Sequence, residues 1–252
     1  MDRLIYTAMT GAKQIMEQQT TVSHNMANVG TTGFRAQIDT FRAVPVEGKG
    51  LPTRTQVIDD TVGADFTEGT IHKTDRNLDV AIKGQGWLTV QAPDGKEAYT
   101  RSGALKLTQN GILQTQNGMA VQGIDTMGID SGPITVPYDA SLVIGKDGTV
   151  SSLVPGSVPA TMEIFGRIKL VNPPLASLKR GDDGLFRSST GVPAPANLNV
   201  GILNGALEDS NVNVVDSMVR MISLGRQFDM NMSLLKSAQD DASKASEILK
   251  LG

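Results

Sequence analysis

The residues best suited to chemistry in this chain are its histidines, and there are only two of them. Ser23 stands beside His24, but proton transfer in a serine triad needs a spatial arrangement that adjacency in the sequence does not supply. His72 has no second ligand at the spacing of a metal-binding motif, and cysteine is absent. The pattern therefore predicts no catalytic residue and no metal site.

Two pairs of adjacent aspartates are the next candidates, as acid and base or as calcium ligands. Asp59 and Asp60 have no neighbours in the sequence that would give them different environments, so we interpret them as part of a solvated loop. The run at 182–184, Asp-Asp-Gly, resembles the start of a calcium loop. Leucine, phenylalanine and arginine follow where further oxygen ligands belong, so we interpret this run as a turn.

A glycine pair in the segment IKGQGW resembles the first part of a dinucleotide-binding fingerprint. Gly84 and Gly86 have the right spacing, but a third glycine and a following helix are missing. The simpler interpretation is a bend or bulge before a strand that starts at Trp87. We therefore expect no bound cofactor.

The composition excludes several classes of partner. The 252 residues include 23 basic and 26 acidic side chains, a formal charge of −3. Because no basic face is concentrated, nucleic acid is not an expected partner, and no motif indicates a small-molecule substrate. No run approaches the roughly 18 apolar residues of a membrane-spanning helix, so membrane insertion is not expected. The first residues lack the features of a cleaved secretory signal, which predicts that any export uses another route.

The first segment of the chain carries a stripe of apolar or small side chains at alternating spacings of 3 and 4. The stripe consists of Ile5, Ala8, Ala12, Ile15, Gln19, Val22, Met26 and Val29, with Gln19 as its one polar member. This is the heptad pattern of a helix that packs against another helix. Gly30 and Gly33 end the pattern, so the sequence predicts a helix over residues 3–29.

The last segment repeats this pattern. Its stripe consists of Val214, Ser217, Met221, Leu224, Phe228, Asn231, Leu235, Ala238, Ala242, Ala245 and Leu249. Asn213 followed by Asp216 provides a capped start for a second helix. A neighbouring stripe through Val215, Met218, Ile222 and Gly225 widens the apolar face there. A wide face predicts more than one packing neighbour, and a plain hairpin of two helices within one molecule is the alternative.

Between the ends the hydrophobic period changes from 3.6 to 2, and turn dipeptides recur at short intervals. We expect strands at 87–91, 97–100, 104–107, 112–115, 119–121, 142–144 and 149–150, and an alternating run over 162–170. The Asn-Gly and Asp-Gly pairs between them favour hairpins. Segments 31–77 and 189–211 contain prolines with glycines or asparagines and are interpreted as mostly extended connections.

These patterns together predict an α+β fold. The N- and C-terminal helices pair as a coiled coil, and a central β-rich domain, hairpin- or barrel-like, is inserted between them. The predicted division is 1–35 for the first helix of the inner domain, 36–77 for an extended or β linker domain, 78–190 for a β-rich outer domain, 191–212 for a return connection and 213–252 for the second helix of the inner domain.

Four sequence blocks resemble the rod and hook proteins of the bacterial flagellum. NMANVGTTGFR at 25–35 is similar to the Asn-rich segment at the end of the family's first helix. DVAIKGQGW at 79–87 and AYTRSGALKLTQNGILQTQNGMAVQG at 98–123 are similar to its central signatures, and SNVNVVDSMVRMI at 210–222 to its C-terminal one. The blocks span the chain in the family's order, which makes the resemblance specific.

Within this family the chain looks most like the proximal-rod members. The blocks that carry this likeness are RAVPVEG (42–48), LPTRT (51–55), RGDDGLFR (180–187) and RQFDMNM (226–232). The distal-rod relative usually has GFF and QRAY where this chain has Gly-Trp-Leu at 86–88 and Arg-Gln-Phe at 226–228. A distal-rod or hook paralogue remains an alternative, as does a secreted binding module. A wall hydrolase or a binding module would leave the two heptad segments unexplained.

The resemblance implies a structural subunit of the proximal rod, located in the periplasm-spanning part of the flagellar basal body. Its implied partners are other rod proteins, copies of itself and the type III export apparatus, which exports the chain without a cleaved signal. The apolar residues of both stripes would then be subunit interfaces. Asn25, Asn28, Gly33 and Phe34 would form a joint between the inner helices and the outer domain. The alternative role for the two asparagines is simple capping of the helix end.

Overall fold

A computed structural model describes residues 2–45, 55–125, 128–137, 141–153 and 162–250. The chain divides into two compact units. The first, called the helical unit, is made of Met1–Asn28, Ala36–Asp65 and Val212–Gly252 as far as these are described. The second, called the β unit, is made of Val29–Arg35 and Phe66–Asn211. Each unit therefore draws on segments that are distant in the sequence.

The helical unit contains both long helices. Helix α1 spans Asp2–Ala27 and helix α2 spans Val214–Lys250, which confirms the helices expected at the two ends. The cap expected at Asn213 is present, because its side-chain Oδ1 accepts hydrogen bonds from the N–H groups of Val215 (3.0 Å) and Asp216 (3.3 Å). Neither helix, over its described residues, is long and apolar enough to cross a bilayer.

The two helices pack against each other in an antiparallel sense, with Gly11 of α1 beside Asn231 of α2. A small apolar cluster lies between them, formed by Ile15, Val22 and Leu224. Met221 and Phe228 pack against its rim. Burial of apolar surface at this contact stabilises both helices, since isolated helices in water are only marginally stable.

A long two-stranded ribbon completes the helical unit. Strands β1 (Gln37–Pro45) and β2 (Thr55–Ala64) pair antiparallel from Gln37 opposite Ala64 to Pro45 opposite Thr55, with a register irregularity between Thr40 and Phe41. The ribbon contacts α1. A lone two-stranded ribbon is marginally stable in water, so this contact with the helix contributes to its stability. Asp59 and Asp60 lie within β2, so their interpretation as loop residues is wrong.

The β unit consists of short strands joined by tight turns. They are β3 (Ile71–Lys73), β4 (Val80–Lys83), β5 (Trp87–Gln91), β6 (Glu97–Thr100), β7 (Leu105–Leu107), β8 (Leu113–Thr115), β9 (Ala120–Ile124), β10 (Asp130–Pro133), β11 (Ser141–Ile144), β12 (Thr149–Leu153), β13 (Met162–Ile168), β14 (Leu170–Val171), β15 (Leu178–Arg180), β16 (Phe186–Ser188), β17 (Gly201–Asn204) and β18 (Ala206–Glu208). A 3-10 turn at Leu175–Ser177 precedes β15. The structure confirms the strands expected from the alternating pattern to within a few residues. Inward-facing apolar side chains alternate with polar ones along these strands.

The main sheet runs in the order β11-β12-β13-β9-β5-β6-β16-β15, with β10 and β8 beside β9, β14 beside β5 and β7 beside β8. Two separate pairs, β17 with β4 and β18 with β3, bring the end of the unit back to its beginning. A large apolar core lies within the unit, and its fully enclosed members include Val80, Val90, Leu105, Val121 and Ile168.

The barrel-like form expected for the β-rich middle between the helices is wrong. The main sheet is open: its path ends at β11 on one side and β15 on the other, and no ladder joins these ends in the described residues. Closure needs one continuous circuit of staggered strands, whereas here β9 pairs with four strands, β5, β8, β10 and β13, so the sheet branches. The coiled-coil geometry is likewise not established, and along α2 only Leu224 is buried among the described stripe residues.

Candidate interaction surfaces and the segment after the first helix

The predicted stripe of α1 lies on the face that the rest of the helical unit covers. Ala8, Ala12, Ile15 and Val22 are buried, and Ile5 and Met26 are half-buried. Gln19, the polar member, is half-buried as well. Val29 follows the helix and belongs to the β unit, where it is half-buried. The 3-4 spacing therefore marks a packed face, as it does in most helices.

The predicted stripe of α2 is covered less completely. Leu224 is buried, whereas Met221, Phe228, Leu235 and Ala238 are half-buried. Ala242, Ala245 and Leu249 lie on α2, but their side chains are outside the described residues. An apolar stripe that one neighbouring helix covers only in part has surface left for further contacts.

A second apolar face of α2 has no cover within the described residues. It lies on the opposite side of the helix from Leu224, over the first turns, and consists of Val215, Met218, Val219 and Ile222, which are between 50% and 67% exposed. We call these four residues the α2 outer face. Helix α1 carries a smaller exposed set made of Tyr6, Met9 and Met16. Large apolar side chains grouped on one helix face are typical of an interaction surface.

The two asparagines near the end of α1 make different contacts. Asn25 contacts the backbone of Gln37 twice: its Nδ2 donates to the carbonyl oxygen (2.8 Å) and its Oδ1 accepts from the N–H (2.7 Å). Asn25 thereby replaces a strand partner at the start of β1. The Nδ2 of Asn28 donates to the carbonyl oxygen of His24 (2.9 Å), which also accepts a hydrogen bond from the N–H of Asn28 (3.2 Å). Thr21 adds a hydrogen bond from Oγ1 to Oδ1 of Asp39 (2.8 Å).

Gly33 and Phe34 are buried in the β unit. Gly33 has a φ of +67°, and an added Cβ would lie 2.2 Å from the carbonyl carbon of Arg101. Conformation and space both require glycine here. The guanidinium of Arg180 lies over the Phe34 ring at 4.5 Å from its centroid, a cation–π contact. The role of the four predicted joint residues as a hinge between units stays a prediction.

A buried charged cluster lies directly after these residues, and the sequence analysis did not identify it. The carboxylate of Glu208 pairs with Arg35 (Oε1 to Nη2, 2.6 Å) and with Arg101 (Oε2 to Nη1, 3.0 Å). All three side chains are almost fully buried. Burial lowers the pKa of the Arg101 guanidinium, and Glu208 opposes that shift. One sequence cannot distinguish these charges from exposed ones, and arginine and glutamate are mostly exposed in proteins.

A second ion-paired group surrounds the buried side chain of Lys169, between β13 and β14. Lys169 is almost fully buried, and its Nζ donates to Oε2 of Glu97 (2.7 Å) and Oδ2 of Asp130 (2.8 Å). Burial alone lowers the pKa of Lys169, but the two carboxylates outweigh that effect, so the pKa is raised. Burial also raises the pKa of Tyr99 to about 12, so this phenol stays protonated. Its oxygen accepts a hydrogen bond from the N–H of Ala194 (2.8 Å).

The residues that could do chemistry are dispersed. His72 forms an ion pair with Asp209 on the surface of the β unit, whereas His24 lies in the last turn of α1. No group of three or more histidine or acidic side chains that could hold a metal is present in the described part of the chain. The run at 182–184 lies in the turn between β15 and β16, as expected, and Gly84 and Gly86 lie between strands β4 and β5, so no helix follows them.

Two family models match the chain. The model of the flagellar hook protein FlgE/F/G D1 domain matches residues 81–152, within the β unit. The model of the flagellar basal body rod FlgEFG protein C-terminal region matches residues 203–248, which include most of α2. The matches therefore cover part of the main sheet and most of the helix that carries the α2 outer face.

Curated relatives match over the full length. The flagellar basal-body rod protein FlgF of Escherichia coli is 44% identical over 257 aligned residues, covering 100% of both chains. FlgF of Salmonella typhimurium is 42% identical over the same span, again covering 100% of both chains. The rod protein FlgG of Buchnera aphidicola is 27% identical, covering 97% of this chain and 98% of its own. The chain thus belongs to the FlgE/F/G family of flagellar rod and hook proteins, as a structural subunit of the proximal rod of the basal body.

Proposed function

We propose that this subunit joins the rod through the apolar surface of its terminal helices, with other rod proteins and copies of itself as neighbours. The α2 outer face is the observation that carries the proposal. Its four apolar side chains lie at the start of a helix whose opposite side already packs on α1. One helix with two apolar faces needs two sets of neighbours.

The half-covered stripe of α2 supports the same proposal. Phe228, Leu235 and Ala238 keep part of their apolar surface exposed beside α1. A further helix seated there would remove that surface from water, at about 25 cal/mol for each Å² buried. Contacts that join unlike surfaces and do not close into a ring produce a helical assembly. Rod growth would follow from this geometry, and torque would pass through packed helices without a chemical step.

We further propose that the chain reaches the rod through the flagellum's own type III export apparatus, with its ends unfolded until docking. Ordering a residue costs roughly 1 to 2 kcal/mol of conformational entropy. The α1–α2 contact buries little apolar surface in compensation, because its core holds only Ile15, Val22 and Leu224 among the described side chains. Burial against neighbouring subunits would offset the remaining cost.

A charge placed on the α2 outer face tests the proposal. In the double variant Val219→Asp/Ile222→Asp, two exposed apolar side chains become carboxylates that would be buried at a subunit contact. We expect loss of swimming and loss of the subunit from purified basal bodies. Because both positions are exposed, the isolated monomer should keep its helix content and the fluorescence of Trp87, the single tryptophan.

A matched control uses the same substitution at a polar, exposed position of the same helix. Ser233→Asp adds a carboxylate beyond the α2 outer face and should leave swimming and incorporation unchanged. Normal swimming of the double variant, at wild-type subunit levels, would contradict the proposed role of this face. Equal loss in the control would show that any charge on α2 is harmful and would also contradict it.

A further inference from the structure

The segment on which the chain first enters the β unit lies beside the segment on which it finally leaves that unit. The N–H of Gly33, on the incoming segment, donates to the backbone oxygen of Glu208 on the outgoing segment (2.7 Å). The N–H of Asn211 donates to the backbone oxygen of Phe34 (3.4 Å). The two segments therefore lie side by side within the β unit, although more than half of the chain separates them in sequence.

The side chain of Glu208 joins three separate parts of the unit at this place. Its Oε1 accepts hydrogen bonds from Nη2 of Arg35 (2.6 Å) and from the N–H of Gly69 (3.0 Å). Its Oε2 accepts from Nη1 of Arg101 (3.0 Å). Incoming segment, outgoing segment and sheet are thus connected through one carboxylate.

Both arginines are anchored on their other sides as well. Arg101 donates from Nη2 to the carbonyl oxygen of Gly84 (2.7 Å), and its guanidinium lies 5.7 Å from the centroid of the Trp87 ring. The backbone oxygen of Arg35 accepts a hydrogen bond from Nη1 of Arg180 (2.7 Å). These contacts hold both arginines in place, with the carboxylate of Glu208 between their guanidinium groups.

The cluster depends on that carboxylate for its charge balance. Two buried guanidinium groups share one buried carboxylate at hydrogen-bonding distance. Nε and Nη1 of Arg35 and Nε of Arg101 are buried without a hydrogen-bond partner in the described residues. Removal of one member of a buried ion pair leaves an uncompensated charge, which is strongly destabilising. Loss of the Glu208 carboxylate is therefore expected to destabilise the cluster.

We propose that Glu208, with Arg35 and Arg101, is a clasp that holds the first segment of the β unit, 29–35, against its last strand, β18, and that it does so without the terminal helices. All of its hydrogen-bond partners lie within residues 29–211. The clasp lets α1 and α2 unfold, refold or change neighbours during assembly while the first and last segments of the β unit stay together.

Amide hydrogen exchange on the full-length chain tests the clasp. The N–H groups of Gly33, Gly69 and Asn211 report on it directly, because each is bonded within it. In Glu208→Gln we expect their protection to fall by about a hundredfold, the scale of losing one partner of a buried ion pair. Glu163→Gln, the same substitution at an exposed position of β13, should leave them unchanged. Equal protection in the two variants would overturn the proposal.

Two further variants separate the clasp from general unfolding. Leu224→Pro breaks α2 in its interior and removes the residue at the centre of the helix contact. The amides of Gly33, Gly69 and Asn211 should keep their protection although the helix contact is lost, and a loss of protection there would overturn the independence of the clasp from the helices. If Glu208→Gln fails to fold, Arg35→Lys keeps the charge without the planar fork. It should lower clasp protection by about tenfold, and no change would again contradict the proposal.

Discussion

Gly33 is a single residue on which the start of the β unit depends. Its φ of +67° is a backbone conformation that residues other than glycine resist. The structure adds a second constraint, which the sequence could not give: the backbone of Arg101 and Ser102 fills the space where a side chain would begin. Any substitution of Gly33 therefore meets both the unfavourable φ and the overlap with this backbone.

We predict that Gly33→Ala lowers the free energy of unfolding of the β unit by about 3 kcal/mol or more, because strain in φ adds to overlap with a rigid backbone. Gly191→Ala is a matched control, since Gly191 has a φ of +70° and no atom within 4 Å of an added Cβ. It should cost about 1 kcal/mol. Urea unfolding followed by Trp87 fluorescence measures both. Equal destabilisation would show that strain in φ, without overlap, explains the effect at Gly33.

The buried charges show what residue-level analysis of one sequence misses. Arg35, Arg101 and Glu208 are far apart in the chain, and none has a local pattern that predicts burial. Gly33 was recognisable because its requirement is local. The clasp was not, because a buried ion pair depends on which segments the fold brings together.

At the scale of elements, Asn25 connects the first helix to the ribbon. The side-chain amide imitates a strand partner by donating to and accepting from the backbone of Gln37. This differs from Asn28, whose amide stays within the helix end. Of the two roles considered for these asparagines, capping describes the contact of Asn28, whereas Asn25 contacts another element.

We predict that Asn25→Ala increases hydrogen exchange across β1, because both contacts to Gln37 are lost, at about 1 kcal/mol each. Asn25→Asp should have a smaller effect, since a carboxylate keeps an acceptor for the Gln37 N–H but cannot donate to the carbonyl. Asn28→Ala, which removes one hydrogen bond at the exposed helix end, should leave β1 unchanged. We expect hydrogen exchange across β1 to be fastest in Asn25→Ala, slower in Asn25→Asp and slowest in the wild type. Faster exchange across β1 in Asn28→Ala would refute this prediction.

Elements were predictable from the sequence to different degrees. Helices α1 and α2 follow from their 3-4 stripes, and the hairpins from alternation with Asn-Gly and Asp-Gly turns. Whether the sheet closes was not predictable, because closure depends on pairings such as β17 with β4, which join residues far apart in sequence. A local pattern predicts that a strand forms, but it does not predict which strand pairs with it.

At the scale of the whole molecule, the two units differ in how much apolar surface each one buries within itself. The β unit has a core cluster with many enclosed side chains, whereas the cluster between the helices has three buried members among the described side chains. Local stability follows buried contacts, so segments with few of them open at a lower free energy cost. A subunit that must add its helices to a growing assembly benefits from this difference, because docking can supply the missing burial.

We predict that amides of α1 and α2 in the unassembled, full-length monomer exchange much faster than those of β5 and β6, by about a thousandfold or more. The physical reason is that the helices bury few side chains against each other, and their outer faces gain cover only from neighbouring subunits. Hydrogen exchange with peptide resolution measures the difference, and addition of isolated basal-body rods should slow exchange in the helices alone. Equal protection of helices and sheet in the free monomer would mean that the helices fold before assembly. Docking would then join preformed surfaces, and the proposed coupling of helix formation to assembly would be wrong.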